Sequence, residues 1–171
     1  MNAEELRKVQ APLTARYRED PDAGVITLKA KGRADGENVT CSVDTGRALV
    51  EAGLHPATGG SGLHACSGDM LLQALVACAG VTMKAVATSL DIPIEGVTVT
   101  AEGDLDVRGT LGVDKQAPVG FRDIRLRFDL ETRASPDQIK KLLELTERYC
   151  VVYQTLRGAP RITISRGINV D

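Results

Sequence analysis

The stretch from Met70 to Ala87 constrains the fold more than any other part of this 171-residue chain. It is apolar almost throughout, broken only by Gln73, Gly80, Thr82 and Lys84. A membrane span needs about 20 mostly apolar residues without such a charge, so the stretch is read as a buried helix. Ser67 is the expected N-cap, Asp69 falls in the first turn, and the helix runs to about Leu90 before Pro93 stops it. At about 1.5 Å per residue it is roughly 35 Å long. Apolar side chains point in nearly every direction around it, so it is expected to be central and contacted on several faces. That is more than one sheet face covers, which calls for a partner chain.

Around this helix the pattern changes to short alternating segments. Residues 1–24 read as an N-terminal arm or short helix ending at Pro12, followed by a crude first strand, Leu13 to Glu19 (LTARYRE). Residues 25–171 read as one domain. Val25 to Lys31 and Asn38 to Asp44 are strand candidates separated by the turn Gly32-Arg33-Ala34-Asp35-Gly36. The glycine-rich run Thr58 to Gly62 lacks the Lys-Ser/Thr ending of a phosphate loop and reads as a surface connection. Val97 to Arg108 and Phe121 to Thr132 alternate apolar and polar residues and are expected as long strands with one buried face. Ser135-Pro136-Asp137-Gln138 supplies an N-cap, a proline at the first helical position and a capping-box amide. The face Ile139, Leu142, Leu143, Thr146, Tyr149, Cys150 and Tyr153 belongs to one helix or two in succession, and Arg161 to Ser165 (RITIS) is expected as a last strand. The class is α+β, with antiparallel sheets around a central helix.

Composition narrows the function. A formal charge of -2 and 3% aromatic residues give neither the basic face nor the stacking platforms that a nucleic-acid partner requires. The polar opening MNAEELRKVQ has no leader-like apolar core, so a cytoplasmic location is expected, with four cysteines as thiols and no membrane partner. Cys41 lies mid-strand between Val39 and Val43 and reads as a small hydrophobe. Cys66, near His64 and His55, lacks the paired Cys-x2-4-Cys spacing of a zinc site, and no metal is expected. Cys78 and Cys150 stand apart: each sits on the inner face of a long helix, and both helices flank the same expected sheet. Their separation in sequence leaves open whether they meet.

The run CSGDMLLQALVACAGVTMKAVA (Cys66–Ala87), taken with TERYCVVYQTLRG (Thr146–Gly158), resembles the osmotically inducible protein C and organic hydroperoxide resistance (OsmC/Ohr) family. That family places one cysteine inside a long central helix and another at the start of a late helix, and the order of elements agrees over roughly residues 25–168. The resemblance implies an intertwined homodimer with its active sites at the subunit interface. It implies that Cys78 attacks an organic or lipid hydroperoxide, giving an alcohol and a sulfenic acid, and that Cys150 condenses with it to a disulfide. An external dithiol of the lipoyl type would then reduce the bridge, with no metal, haem or flavin cofactor. Arg33 resembles the arginine that the peroxidase branch carries in an early strand turn, where it favours the thiolate and orients the peroxide. That branch has a glutamate about ten residues before the central cysteine; here the position is Gly68, with Asp69 beside it as the candidate acid. Val151 and Val152 follow Cys150, where the family commonly has Pro and a small polar residue. Two other functions remain open on the same fold: a non-enzymatic protein binding an apolar ligand between helices and sheet, and a transferase or hydrolase using Cys78 with His55 or His64 as base.

Overall fold

The computed structural model describes residues 49–112 and 114–167 in full, the backbone of 31–33 and 40–44, and a few positions among the first nineteen residues. Beyond the N-terminal positions, the described residues form two sheets, four α-helices and a 3-10 turn at Pro56–Thr58. The first sheet has the order β1 (Lys31–Arg33), β2 (Thr40–Asp44), β3 (Leu49–Gly53) and β4 (Ala65–Cys66). Its first three strands are antiparallel neighbours, and β4 lies parallel to β3 through Ala52↔Ala65 and Gly53↔Cys66. The second sheet is the pair β5 (Gly96–Leu105) and β6 (Phe121–Glu131), in register from Gly96↔Glu131 to Leu105↔Phe121 with an irregularity at Asp104/Leu105. Beside that irregularity the Phe121 ring covers Gly103 so closely that a Cβ there would stand 2.5 Å from it. The helices are α1 (Ser67–Ser89), the single turn α2 (Val107–Thr110), α3 (Pro136–Tyr149) and α4 (Val151–Gly158).

The central helix forms where expected, with two corrections at its ends. Ser67 is its first residue and not its cap: β4 runs straight into the helix, so the extended Cys66 takes the cap position without a side-chain bond. At the far end the chain turns before Pro93. Asp91 adopts a left-handed φ of 55°, the Ile92 N–H reaches the Ala87 carbonyl at 2.9 Å, and the Asp91 N–H reaches that of Thr88 at 3.3 Å. This is the paired bonding of a Schellman stop, and the packing of Ile92 with Ala87 completes it.

Two apolar clusters are stacked along α1. Toward its C-terminus, Met83, Val86 and Ala87 meet Ile92 and Leu142, flanked by Val97, Phe128 and Leu130 of the second sheet. Toward its middle, Leu75 and Ala79 meet Cys150, flanked by Cys78, Val99, Ile124, Leu126, Phe128 and Val152. Phe128 belongs to both. The alternation read for β5 and β6 is thus the physical origin of the sheet's inner face. Its outer face is charged, with Arg125 bound to Asp104 at 2.6 Å and to Asp123 at 2.8 Å. By length and composition α1 is apolar enough to cross a membrane, a test that the core helix of a soluble protein also passes.

α3 opens with the expected capping box. The Gln138 N–H donates to Ser135 Oγ at 3.3 Å, and the Ser135 N–H donates to Gln138 Oε1 at 2.9 Å. The late helical stretch is two helices, interrupted at Cys150. Tyr149, expected on the inner face, is turned outward with the Arg148 guanidinium 5.6 Å from its ring.

Three other expectations are corrected, and one strand is added. Arg161 to Ser165 is no strand: Ile162 and Ile164 are 83% and 93% exposed, and among the described residues no strand pairs with them. Alternation makes a strand only where a sheet edge receives it. In the LTARYRE segment Ala15 and Glu19 are helical, as befits its helix-forming Ala, Arg and Glu. Gly32 and Arg33 belong to β1 and not to a turn, because antiparallel pairing to Val43 and Ser42 extends the strand through them. The strand β3 has no counterpart in the sequence reading: LVEAG is too short to show a period and is held by pairing to β2. The rest of the Val25–Lys31 strand, before Lys31, lies outside the described residues.

Leu142 is fully buried where α3 meets α1. Leu142→Ala is expected to lower the unfolding free energy by about 2–5 kcal/mol in urea titrations. Ser135→Ala, which removes only the cap, is expected to cost about 1 kcal/mol.

Candidate functional site

The interruption at Cys150 is what creates a site. Its ψ of 107° leaves the helical region, so the residue closes α3 and opens α4 at once. Its N–H still donates to the Thr146 carbonyl at 2.9 Å, and its carbonyl accepts the Gln154 N–H at 2.9 Å. The elbow is braced from outside: Gln154 Nε2 donates to the Glu147 carbonyl at 2.7 Å, and the Tyr153 hydroxyl donates to Glu147 Oε2 at 3.3 Å. The β-branched Val151 and Val152, poor continuers of a helix, follow the break. A new helix start means a new set of backbone N–H groups without partners in their own helix.

Cys78, half-buried in the middle of α1, packs against Cys150 at that helix start. Burial pushes the Cys78 thiol up, but the polar groups around it, the Val152 backbone first, with the Cys150 thiol, Thr82 and the Val151 backbone, hold its pKa below the ordinary cysteine value. Cys150 is 1% exposed. Burial is the main influence on it and raises it; the Tyr153 and Val152 N–H groups oppose this, and the bond it donates to Cys78, with the charge there, adds to the rise. The net direction is upward. Of the two thiols, Cys78 is thus the one that ionises more readily.

Of the residues singled out in the sequence, the structure brings Cys78 and Cys150 together. Asp69 is exposed in the first turn of α1, nine positions before Cys78. At 100° and about 1.5 Å per residue this is the opposite side of the helix and ~13 Å along it. Arg33 lies in β1 opposite Ser42, and its side chain is outside the described residues, as is that of Cys41, which pairs with Ala52. A Cβ on Gly68 would meet Phe121 at 3.5 Å, Cys66 Sγ at 3.6 Å and Leu105 at 3.7 Å, an apolar setting. The histidines are occupied elsewhere: His55 Nδ1 accepts the Ala57 N–H at 3.0 Å, and His64 Nδ1 lies 3.7 Å from Glu51. Neither is among the groups that act on Cys78. Among the described residues no three His, Cys, Asp or Glu side chains are grouped to hold a metal ion. Sequence reasoning missed Thr82 and the amides of Val151 and Val152. The spacing Cys78 to Thr82, one helical turn, was the available signal for the first.

Comparison with known proteins follows the same lines. The family described as OsmC-like protein matches residues 59–165. No curated protein matches the sequence. Among solved structures, an OsmC like protein from Mycoplasma pneumoniae superposes with a TM-score of 0.64 at 19% identity, covering 78% of this chain and 89% of its own. An organic hydroperoxide resistance protein from Elizabethkingia anophelis gives 0.63 at 19% identity, over 78% and 90% of the two chains. An organic hydroperoxide resistance protein OsmC from Legionella pneumophila gives 0.61 at 20% identity, over 78% and 91%. At these identities the likeness is one of fold.

The opposed thiols make a pH-dependent signature. A lowered pKa leaves more thiolate at any pH below the ordinary value of about 8.5. Alkylation of reduced protein by iodoacetamide, followed by peptide mass mapping, is therefore expected to give Cys78 a midpoint below that value and Cys150 one above it. In Cys78→Ser the Cys150 midpoint should fall, because one cause of its rise is gone.

Proposed function

This chain belongs to the OsmC-like family, and from that premise we propose that it reduces organic hydroperoxides through its two central thiols. The observation that carries the reading is the contact of Cys78 with Cys150 at the start of α4, with the pKa of the first lowered and that of the second raised. The names of the Legionella and Elizabethkingia proteins supply the substrate class.

On this reading the Cys78 thiolate attacks the distal oxygen of a hydroperoxide, ROOH. The O–O bond breaks, a C–O alkoxide leaves and takes a proton to become the alcohol, and Cys78 is oxidised to the sulfenic acid. Cys150, after losing its proton, attacks that sulfur; the S–O bond breaks, hydroxide leaves and is protonated to water, and a Cys78–Cys150 disulfide remains. Two electrons from an external dithiol, of the lipoyl type in our proposal, restore the thiols. Such a cycle suits a reducing compartment, and we place it in the cytoplasm. Arg33 is assigned the guanidinium role on the resemblance alone. Asp69 is left without a step, since it stands on the far side of α1 from Cys78 in its own chain.

We also propose a homodimer. Val81 is 72% and Leu71 38% exposed on the central helix, so the described residues of one chain do not cover it. Sedimentation equilibrium is expected to give twice the 18.2 kDa chain mass; a monomer at micromolar concentration would remove this part of the reading.

The reaction is checked by adding one equivalent of cumene hydroperoxide to reduced protein. Mass mapping should find a single Cys78–Cys150 bridge and one equivalent of cumyl alcohol. Cys78→Ser should consume no peroxide, whereas Cys150→Ser should stop at a dimedone-reactive sulfenic acid on Cys78. Both thiols free after peroxide treatment would sink the proposal.

A further inference from the structure

A carbonyl in the last turn of a helix loses its partner where the helix breaks. Had α3 continued through Cys150, the Glu147 carbonyl would take the N–H of Val151, one turn on. At the break it takes a side chain instead: Gln154 Nε2, reaching back from α4, donates to it at 2.7 Å. The backbone N–H of the same residue donates to the Cys150 carbonyl at 2.9 Å. Gln154 therefore holds two carbonyls, one in α3 and one on Cys150 itself, and the non-helical ψ of 107° lies between them. Tyr153 adds a third tie, its hydroxyl donating to Glu147 Oε2 at 3.3 Å. The Gln154 side chain is exposed, so it covers no core surface. What its amide fixes is the angle of the elbow.

We propose that Gln154 is a positioning residue for Cys150: by tying α4 back to the end of α3 it holds the elbow at which the buried thiol meets Cys78. The inference deepens the reading of Cys78 and Cys150 as attacking and resolving thiols, and rests on it. Bridging tolerates little error, because two cysteines join only with Cβ atoms about 3.5–4.5 Å apart. Cys78 is borne by the long α1, whereas Cys150 stands at a joint between two shorter helices. Leu75 and Ala79 of α1 pack Cys150, and Val152, Tyr153 and Leu156 carry α4 into the same cluster. Apolar packing of this kind is non-directional and leaves α4 free to swing about Cys150. The two hydrogen bonds of Gln154 are directional and remove that freedom. A joint held before the reaction needs no further ordering to bring the two sulfurs together.

Three substitutions of similar helix preference separate the amide from shape. Gln154→Met keeps the reach and loses the donor. Gln154→Glu keeps the shape and turns a carboxylate toward the Glu147 carbonyl, and Gln154→Lys keeps a donor on a stem one bond longer. The primary readout is the equilibrium of the protein with a glutathione buffer, without any peroxide. Oxidised glutathione takes two electrons and two protons from the Cys78 and Cys150 thiols, leaving the bridge and two molecules of reduced glutathione. Mass mapping gives the fraction bridged. The first two variants are expected to lower the equilibrium constant for the bridge roughly fivefold, and the third to stay within about twofold of wild type. In a second readout, one equivalent of cumene hydroperoxide with dimedone present, the first two should shift product from the bridge to the dimedone adduct of Cys78. A role confined to stability would lower the urea midpoints of the reduced and bridged forms alike and leave the bridge equilibrium unmoved. An unmoved equilibrium in Gln154→Met and Gln154→Glu, or a Gln154→Lys variant shifted as far as Gln154→Met, would overturn the proposal. If the equilibrium moves as expected in a protein that consumes no peroxide, the Gln154 assignment stands and the peroxidase reading fails. A wild-type chain that forms no bridge in oxidised glutathione would remove both.

Discussion

A 23-residue helix that is apolar around most of its circumference must be covered on several sides at once, and that requirement organises this chain. One flank is taken by the inner face of β5 and β6, the other by α3 and α4, and Phe128 touches both apolar clusters. Full burial of side chains such as Met83 and Leu142 is worth about 1.5–3 kcal/mol each, so the helix fixes its neighbours more firmly than any surface ion pair does. The Arg125 network on the outer strand face illustrates the contrast, since its partners are all exposed.

Covering a long helix with one continuous late helix would give a core and nothing else. The break at Cys150 changes that, because it splits the covering layer into α3 and α4 and turns the start of α4 toward α1. No Ser, Thr, Asp or Asn is supplied as a cap there. Cys78 packs against this helix start from across the interface. Packing and chemistry thus rest on the same contact: Leu75 and Ala79 bring α1 against Cys150, and the sulfur one position before Ala79 meets the new helix start.

What the sequence discloses follows from how local each cause is. The central helix, the β5–β6 pair and the Ser135 capping box depend on periodicity and neighbouring residues, and all three read correctly. The segment Arg161 to Ser165 alternates as well as β5 does, yet it is no strand, because a strand is a relation between two segments and a single segment carries only half of it. β3 is the converse, a strand without a visible pattern that pairing with β2 sustains. At the site, both thiols were legible as helix-borne cysteines, but their meeting was not, since a separation of 72 positions along the chain says nothing of distance. The amides of Val151 and Val152 were hidden for a simpler reason: every residue has one, and only the break at Cys150 sets these two free.

The division of labour between the thiols has a single geometric origin. Both lie at the start of α4, but on different sides of it. Cys150 is the cap residue, sealed at 1% exposure, so burial dominates its proton affinity. Cys78 comes to the same helix start from another helix and keeps part of its surface open, and its pKa is lowered although burial opposes this. Each then reinforces the other, because a proton held on Cys150 is available to bond the Cys78 thiolate, and a charge on Cys78 makes Cys150 still harder to ionise. A reagent arriving from outside meets the more accessible and more readily ionised sulfur first. On the proposed reading, the sealed one responds only after its neighbour has been oxidised, when the charge that held its proton is gone. The order of attack and resolution in that proposal then follows from position along one helix start.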